Sequence, residues 1–482
     1  MPVEFKCDLA AAPTQLKHGW EYMVGSGRAV LALRADWQAH LLRAHGELGF
    51  RHVRFHGLLD DDMGTLICHA EQRLYSFFNA DQIFDYLLSI GMKPFVELSF
   101  MPSMLASGGS TVFQYRANIT PPRDYHQWGM LIDKLVRHWI DRYGLHEVRE
   151  WCFEVWNEPN LKAFWTGRRK GYYELYRATV EAIKNIDPAL KVGGPSSAQN
   201  AWIREFLNYC DKHKLPVDFV TTHYYPTDAF GKIGADTVTQ LEHAPRDIMR
   251  QKAETAHSQA RNLPLYYTEW NVSSNPRDPL HDQPFSAAFA SSIALSVDPF
   301  VDGYSFWTFS DIFEENYFPS IPFHGGFGLL NLHGIPKPVY RAFQLLHGMG
   351  DKLCQVEGSH ETVNVWVSQG EDSVVVLLTN YAMPRHEVSS VSTRVKLEGA
   401  GKPHSGHLTR IDEDNANPLR LWQEMGKPEY LSVREVDALQ VASALNPQVH
   451  PLRVLENQIE VDVLMPPQSV AALKIEYTSG MP

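Results

Sequence analysis

The sequence predicts an α/β fold in which a (β/α)8, or TIM, barrel precedes an antiparallel β-sandwich. Between about residues 18 and 349, short apolar runs alternate with amphipathic stretches, the pattern of parallel strands joined by crossover helices. Eight such repeats over this length suggest closure into a barrel. An open, doubly wound sheet is disfavoured because no GxGxxG follows an early strand. After residue 349, β-forming runs alternate in polarity, which is typical of antiparallel sheets.

The individual elements follow from local composition. The predicted strands are rich in β-branched and aromatic residues, and they are residues 20–23, 52–56, 93–99, 151–156, 191–194, 218–224, 265–270 and 303–309. Apolar residues recur every three or four positions in the predicted helices, which are residues 81–90, 125–143, 172–185, 203–213, 246–260, 284–297 and 339–349. The later predicted strands are residues 362–367, 373–378, 393–397, 407–411, 460–464 and 469–477, interrupted by a charged, partly helical insertion at 415–441.

These elements predict three segments. Residues 1–17 form an N-terminal segment that could join the accessory β domain. Residues 18–349 form the barrel, and residues 350–482 form the β-sandwich accessory domain. No long Pro/Ser linker separates the barrel from the sandwich, so the two are expected to pack together. The accessory domain shows no obvious aromatic cluster and is expected to be a structural buttress.

Composition restricts the class of function. The chain has 482 residues, of which 44% are hydrophobic and 21% charged, a balance typical of a globular enzyme with a large core. The formal net charge of −12 disfavours nucleic acid as a partner, because nucleic-acid binding needs a basic face. A small neutral substrate is compatible with this charge.

Cysteine usage and hydropathy bear on location. The five cysteines are scattered without a CxxC pair, so neither a zinc site nor a disulfide framework is predicted, and free thiols are typical of a reducing compartment. No run approaches the roughly 18 apolar residues of a membrane span, and no secretory signal pattern is visible. We expect a cytoplasmic protein without a membrane partner, or a periplasmic or secreted one if the natural N-terminus is longer.

Two carboxylates stand at the carboxyl ends of predicted strands. The run 151–160 is apolar and aromatic at first and then turns polar at Glu158. The run 265–271 has the same pattern, with Glu269 near its end. A carboxylate is costly to bury, so both are candidates for chemistry. On strands 4 and 7 of a barrel they would face each other across the mouth, and paired carboxylates are the minimal equipment for hydrolysing a glycosidic bond.

Other predicted strands also end in side chains suited to a site. His56 ends the second strand, His223 and Tyr225 follow the sixth, and Trp307 lies near the end of the eighth. The convergence of polar and aromatic side chains at one edge of a barrel is typical of an active site. The alternative is that His223 and Tyr225 form a satisfied pair in the core.

Three further carboxylates are interpreted differently. Glu97 lies nearer the middle of its strand and is expected to pair with a basic residue such as Arg54. Glu314 and Glu315 lie in the loop 311–324. Adjacent carboxylates usually form a solvated face, so their residue types alone do not assign them to the site.

Metal binding is the main rival for the clustered residues. His56, His223, Glu158 and Glu269 are all possible ligands, but no HxH or HExxH spacing supports a metal centre. We therefore predict no metal and no cofactor. The GxSxG elbow of serine hydrolases is also absent.

Several strings resemble a known family. Trp156-Asn-Glu-Pro159 and Thr268-Glu-Trp-Asn271 are similar to strings of the (β/α)8 glycosidases that hydrolyse with retention. Longer strings resemble the β-xylosidases of glycoside hydrolase family 39: Val53-Arg-Phe-His-Gly-Leu-Leu-Asp-Asp-Asp62, Phe153-Glu-Val-Trp-Asn-Glu-Pro-Asn-Leu161, Tyr304-Ser-Phe-Trp-Thr-Phe-Ser-Asp311 and Phe323-His-Gly-Gly-Phe-Gly-Leu329. The similarity runs almost end to end and includes Met425-Gly-Lys-Pro428 in the insertion.

The resemblance implies a role for each candidate. Glu158 would be the general acid/base, Glu269 the nucleophile that forms a covalent glycosyl-enzyme, and Asn157 the partner of the sugar 2-hydroxyl. The residues implied to hold the non-reducing sugar are His56, His223, Tyr225 and Glu314 or Glu315, with Phe164 and Trp307 as apolar walls.

The resulting hypothesis is a retaining exo-glycosidase that cuts β-1,4-xylosidic bonds of short xylo-oligosaccharides from the non-reducing end. Retention predicts carboxyl groups about 5–5.5 Å apart. One alternative is a related glycosidase acting on a uronide or exopolysaccharide, although a uronate would call for Arg or Lys near the sugar. The other is a non-catalytic carbohydrate-binding protein. The expected partner is a small oligosaccharide, and the sequence does not indicate an oligomeric state.

Overall fold

Eight parallel strands close into a barrel in the computed structural model, which describes residues 2–70, 72–228, 236–315 and 317–477. The barrel strands in chain order are Met23–Arg28, His52–His56, Lys93–Leu98, Cys152–Val155, Lys191–Ser197, Phe219–Tyr224, Leu265–Trp270 and Gly303–Phe306. The eighth pairs in parallel with the first, which confirms the predicted barrel. Residues 1 and 478–482, the ends of the two outer predicted segments, lie outside the described residues.

Helices follow the barrel strands. They are Ala35–Leu48, Phe78–Ser89, Tyr125–Tyr143, Leu145–Val148, Arg169–Ile186, Ile203–His213, Thr237–Glu242, Ile248–Ala260, Pro284–Val297 and Pro338–His347. The helix Tyr125–Tyr143 shows why they form: Trp128, Leu135 and Trp139 are among the buried residues of one face, and Asp124 caps its first turn. Two hairpins, Leu66–His69 with Gln72–Tyr75 and Thr111–Val112 with Ala117–Asn118, extend the loops.

The first barrel strand lies further along the chain than predicted. Trp20 belongs to a short 3-10 turn, Gly19–Glu21, and the strand is Met23–Arg28. Because it contains two glycines, this stretch has the composition of a loop. Gly25 is required by packing, since a Cβ atom there would lie 2.4 Å from the ring of Trp307.

The helix Ala35–Leu48 was not predicted. Its buried stripe consists of Trp37, Leu41, Ala44 and Leu48, which has helical spacing. The stripe is weak in sequence because one member is only alanine, and because two histidines and a glycine lie between its members.

Two sheets beyond the barrel share a second core. The seven-stranded sheet contains Thr14–Gln15, Lys352–Cys354, Val363–Gln369, Ser373–Asn380, Ser469–Glu476, Ser405–Ile411 and Gln448–Val449. The five-stranded sheet contains Val356–Glu357, Val3–Asp8, Val391–Glu398, Gln458–Met465 and Arg453–Val454. Val376 and Leu473 of one sheet and Val395 and Val461 of the other belong to a single buried cluster, as in a sandwich.

The chain termini and the insertion add to this arrangement. Val3–Asp8 pairs in parallel with Val391–Glu398, so the N-terminal residues supply a strand to the accessory sheet. The boundaries drawn at residues 17 and 349 stay predictions. The insertion forms two helices, Pro418–Glu424 and Val433–Ala442, which pack on the barrel loop around Phe323.

One helix joins the barrel to the sandwich. In Pro284–Val297 nearly every residue is buried, without a polar face, as expected for a helix enclosed on all sides. Tyr381 and Val470 of the accessory domain belong to the same buried cluster as this helix. The junction therefore holds the barrel and the accessory domain in contact.

Among the described residues, no helix combines the length and the apolar character needed to cross a membrane.

Candidate active site

A cavity of about 340 Å³ lies at the carboxyl ends of the barrel strands. Eight of the ten predicted site residues line it: His56, Asn157, Glu158, Phe164, Tyr225, Glu269, Trp307 and Glu315. The other two, His223 and Glu314, lie beside it and are described below. A larger groove of about 570 Å³, between Tyr125–Tyr143 and Arg169–Ile186, contains no residue from a strand end. The chemistry suggested by the sequence therefore belongs to the smaller cavity.

Glu158 and Glu269 approach each other in this cavity. One carboxyl oxygen of each and one ring nitrogen of His223 lie within 4.8 Å of one another. The turn that carries Glu158 is strained, with φ of 72° at Trp156 and 43° at Glu158, which costs of the order of 1 kcal/mol or more per residue. The Glu158 N–H donates to the carbonyl of Ser196 at 2.8 Å. Such strain is typical of backbone that aims a functional side chain.

Arg54 lies fully buried beneath the two carboxyls. Its guanidinium contacts Glu154 Oε2 at 2.6 Å, Glu269 Oε1 at 2.8 Å, Glu97 Oε2 at 2.8 Å and Asn157 Oδ1 at 2.9 Å. The expected pairing of Arg54 with Glu97 is therefore present. One cation serves three carboxylates, which makes it the electrostatic centre of the barrel mouth.

Removal of this cation is expected to destabilise the fold. Arg54→Met leaves three buried carboxylates without their shared counter-charge, so we expect the free energy of unfolding to fall by about 3–5 kcal/mol. Urea denaturation followed by fluorescence measures this. Arg51→Met, at an exposed arginine three residues earlier, is the matched control and should change stability by about 0.5 kcal/mol or less. Equal stability of the Arg54 variant and the wild type would contradict the assignment.

The environment gives the two central carboxyls different proton affinities. Burial raises the pKa of Glu158 well above its ordinary value, and the charge of Glu269 raises it further. Burial also raises the pKa of Glu269, but the charges of Arg54 and His56 oppose this increase. A single proton shared by the pair therefore resides on Glu158, and Glu269 is the carboxylate.

Tyr225 supports the ionised state of Glu269. Its hydroxyl donates to Glu269 Oε2 at 3.0 Å. Burial and the neighbouring charge of Glu269 raise the pKa of Tyr225 well above its ordinary value, so the phenol keeps its proton and remains a donor. Hydrogen bonds to the charged form of a carboxyl favour that form.

The remaining walls combine rings and one carboxyl. The rings of His56 and Trp307 have centroids 4.8 Å apart, and His56 Nδ1 lies 2.7 Å from Glu97 Oε2. Burial raises the pKa of Glu315 well above its ordinary value, and the charge of Glu269 adds to it. Glu315 Oε1 is buried and has no hydrogen-bond partner in the part of the chain that the structure describes, although His56 Nε2 lies 3.7 Å away. A buried oxygen of this kind is suited to a ligand hydroxyl.

The structure separates the two adjacent carboxylates that the sequence left together. Glu314 pairs with Arg28 Nε outside the cavity lining. Arg28 also pairs with Asp62 at 2.6 Å and lies 4.1 Å from the ring centroid of Tyr115. Glu314 thus anchors the loop, whereas Glu315 faces the cavity.

Sequence reasoning missed several lining residues. Phe113, Gln199 and Phe327 line the cavity. Phe113 and Phe327 lie in loops, and Gln199 lies in a 3-10 turn, Ala198–Asn200, after the fifth barrel strand. Phe327 lies within one of the strings that carried the family resemblance. Nothing in the sequence singled out the other two.

A metal ion would find one set of ligands among the described residues, formed by Glu158, His223 and Glu269. Both carboxyl oxygens of Glu269 already accept hydrogen bonds from the protein, because Arg54 donates to one and Tyr225 to the other. The prediction that the protein uses no metal stays a prediction.

Comparisons with known proteins are consistent with this geometry. The family model of Glycosyl hydrolases family 39 matches residues 3–458. The β-xylosidase of Caldicellulosiruptor saccharolyticus is 46% identical over 463 residues, covering 95% of each chain. The β-xylosidase of Geobacillus stearothermophilus is 36% identical, covering 96% of this chain and 93% of that one. The crystal structure of a monomeric β-xylosidase from Caulobacter crescentus CB15 superposes with a TM-score of 0.88 at 32% identity, covering 99% of this chain and 100% of that one.

Proposed function

Because the chain belongs to glycosyl hydrolase family 39, we propose that it is a retaining β-xylosidase. It removes xylose from the non-reducing end of short β-1,4-linked xylo-oligosaccharides by double displacement. Glu158 is the general acid/base and Glu269 is the nucleophile. The two relatives described above at 46% and 36% identity are both β-xylosidases, which supports this substrate.

The observation that carries the proposal is the pair of unlike carboxyls. Glu158 and Glu269 have oxygens within 4.8 Å of each other, which suits the short separation of about 5–5.5 Å in retaining enzymes and leaves too little room for the water of an inverting one. Their surroundings favour a protonated Glu158 and an ionised Glu269, the two states that double displacement requires.

In the first step Glu269 attacks the anomeric carbon while Glu158 donates its proton to the departing glycosidic oxygen. The C–O bond to the leaving sugar breaks as the ester bond to Glu269 forms. Asn157 Oδ1 accepts from Arg54, so the side-chain NH2 of Asn157 is the group turned to the sugar 2-hydroxyl.

In the second step the charge of Glu269 is lost in the ester, and Glu158 is now a carboxylate. Glu158 takes a proton from water, whose oxygen attacks the anomeric carbon and releases Glu269. Two inversions give net retention. The pKa of Glu158 therefore affects both steps, because the group must hold a proton before the first step and take one up in the second.

The cavity favours a neutral sugar over a uronide. Its lining contains no lysine or arginine among the described residues, although a uronate would need such a partner. The ionised Glu269, which lies in the same lining, would instead repel a negatively charged sugar. The cytoplasmic location and the absence of a nucleic-acid partner stay predictions.

A panel of nitrophenyl glycosides tests the function. We expect hydrolysis of the β-xyloside with kcat/KM at least about 100-fold above that for a glucuronide or an α-L-iduronide. Xylobiose and xylotriose should release xylose one unit at a time. Preference for a uronide would move the assignment to another activity of the family, and binding of xylobiose without turnover of any glycoside would contradict catalysis.

Glu315 is the residue expected to bind the sugar, and the adjacent Glu314 provides a matched control for this role. Glu315→Gln replaces the buried carboxyl of the cavity by an amide, and we expect kcat/KM for the xyloside to fall about 5- to 10-fold, the value of a neutral hydrogen bond of about 1–1.5 kcal/mol. Glu314→Gln changes only the contact with Arg28 and should cost less than about threefold. Steady-state kinetics of both variants measure this. A larger loss in the Glu314 variant would contradict the separation of the two roles.

A further inference from the structure

His223 lies behind the cavity with both ring nitrogens occupied. Its side chain is fully buried. Nδ1 lies 2.9 Å from Glu158 Oε1, and Nε2 lies 3.1 Å from Thr268 Oγ1. Burial, together with the charges of Arg54 and His56, holds the pKa of His223 well below its usual value, so the ring is neutral and carries one hydrogen. The position of this hydrogen determines whether the ring donates a hydrogen bond to Glu158 or accepts one from it.

Thr268 cannot supply a hydrogen to the ring. Its hydroxyl donates to Glu154 Oε1 at 2.7 Å, and the carboxylate of Glu154 is itself paired with Arg54 Nε at 2.6 Å. A carboxylate accepts and does not donate, so the single hydroxyl hydrogen of Thr268 is committed to Glu154. Thr268 Oγ1 can therefore only accept from His223 Nε2.

Arg54 is a more distant partner of His223 Nε2 than Thr268 is. Its Nη2 donates to Asn157 Oδ1 at 2.9 Å and forms an ion pair with Glu97 Oε2 at 2.8 Å. The approach of Nη2 to His223 Nε2 is 3.4 Å, and Ser196 Oγ is also 3.4 Å from that nitrogen. Both distances are longer than the 3.1 Å contact with Thr268, so Thr268 is the stronger partner of Nε2.

We propose that Thr268 holds His223 with its hydrogen on Nε2, so that the unprotonated Nδ1 accepts the acidic hydrogen of Glu158. This proposal rests on the proposed function, because it assigns the acid to Glu158. His223 and Thr268 are positioning residues in this account. They act through Glu158 and do not react with the sugar themselves.

The consequence concerns both halves of the reaction. While Glu158 is protonated, its O–H has a fixed acceptor, which orients the group. Once the proton has gone to the leaving oxygen, the carboxylate and the lone pair of Nδ1 face each other at the 2.9 Å separation. This repulsion raises the free energy of the carboxylate and favours removal of a proton from water. A histidine with its hydrogen on Nδ1 would do the opposite, because it would stabilise the carboxylate.

Other titratable groups surround Glu158 and His223 and must be kept constant in a test. They are Arg54 and His56 on the second barrel strand, Glu97 on the third, Glu154 on the fourth, Glu269 on the seventh, and Tyr225, Asp228 and Glu315 in the loops. Substitution of Thr268 by valine removes none of them. A change in pH dependence in that variant therefore reports the state of the histidine.

The test is the pH profile of kcat/KM for an unactivated xyloside. Activity is lost as pH rises through the pKa of Glu158 in the free enzyme, which sets the basic limb. In Thr268→Val the ring is free to place its hydrogen on Nδ1 and donate to the carboxylate, so the basic limb should move to lower pH by about one unit. Thr268→Ser keeps the hydroxyl and should keep the limb at its wild-type position. A folded valine variant with an unmoved limb would overturn the proposal.

Neutron diffraction from the deuterated wild-type protein tests the same point without activity. We expect deuterium on Nε2 of His223 and on the carboxyl of Glu158, with none on Nδ1. Deuterium on Nδ1 would overturn the proposal even if the valine variant failed to fold. Because this readout needs no substrate, failure of the proposed function, seen as absence of xyloside hydrolysis, is distinguishable from failure of the tautomer assignment.

Discussion

Glu269→Ala is expected to reduce kcat for a nitrophenyl β-xyloside by about 10⁵-fold, the scale seen when a covalent nucleophile is removed. Without this carboxylate no glycosyl-enzyme can form, and the charge that Arg54 holds in place at 2.8 Å is no longer available to the developing positive sugar. Steady-state kinetics with purified variant and wild type measure the loss. Glu254→Ala, at an exposed helical glutamate, is the control and should retain full activity.

Azide extends the same experiment to the stereochemistry. A small anion can occupy the space of the missing carboxyl and attack the anomeric carbon once, so Glu269→Ala with azide should form the α-xylosyl azide. NMR spectroscopy identifies the anomer. Formation of the β-azide by this variant would assign Glu269 to another role.

Glu158→Ala is expected to lose more activity on substrates whose leaving group must be protonated than on substrates whose leaving group needs no proton. For xylobiose and other poor leaving groups we expect kcat/KM to fall about 10³- to 10⁴-fold, within the usual range of general acid catalysis. For a dinitrophenyl xyloside, which needs no proton on its leaving oxygen, formation of the glycosyl-enzyme should change by less than about tenfold. The basic limb of the pH profile should disappear as well, because the group that causes it is gone.

The contrast between substrates is the control within this experiment. Azide should speed turnover of the activated xyloside by Glu158→Ala and give the β-azide, since it enters after the first inversion. Equal losses for good and poor leaving groups would contradict an acid/base role for Glu158, because a structural defect would not distinguish them.

Much of the fold follows from periodic patterns in the sequence. The helices Tyr125–Tyr143 and Ile203–His213 and the strand Leu265–Trp270 have the predicted bounds, because each has a continuous apolar period and clear ends. The strand Met23–Arg28 does not have the predicted bounds. Its glycines give it the composition of a loop, although Gly25 is there because the ring of Trp307 packs against it.

The site could be predicted only as far as strand ends define it. Glu158 and Glu269 are visible because a polar residue ends an apolar run. The difference between Glu314 and Glu315 depends on a loop conformation and on Arg28, which lies far away in sequence. The chain of hydrogen bonds from His223 through Thr268 to Glu154 was not predicted, because it forms only where three barrel strands come together.

Covalent trapping tests the central claim most directly. A dinitrophenyl 2-deoxy-2-fluoro-β-xyloside slows the second step more than the first, so the glycosyl-enzyme should accumulate with one sugar per chain. Peptide mass spectrometry of the inactivated protein is predicted to find the fluoroxylosyl group on Glu269. A label on any other residue, or turnover of β-xylosides with release of the α-anomer and no trapped ester, would contradict a retaining mechanism carried by Glu158 and Glu269.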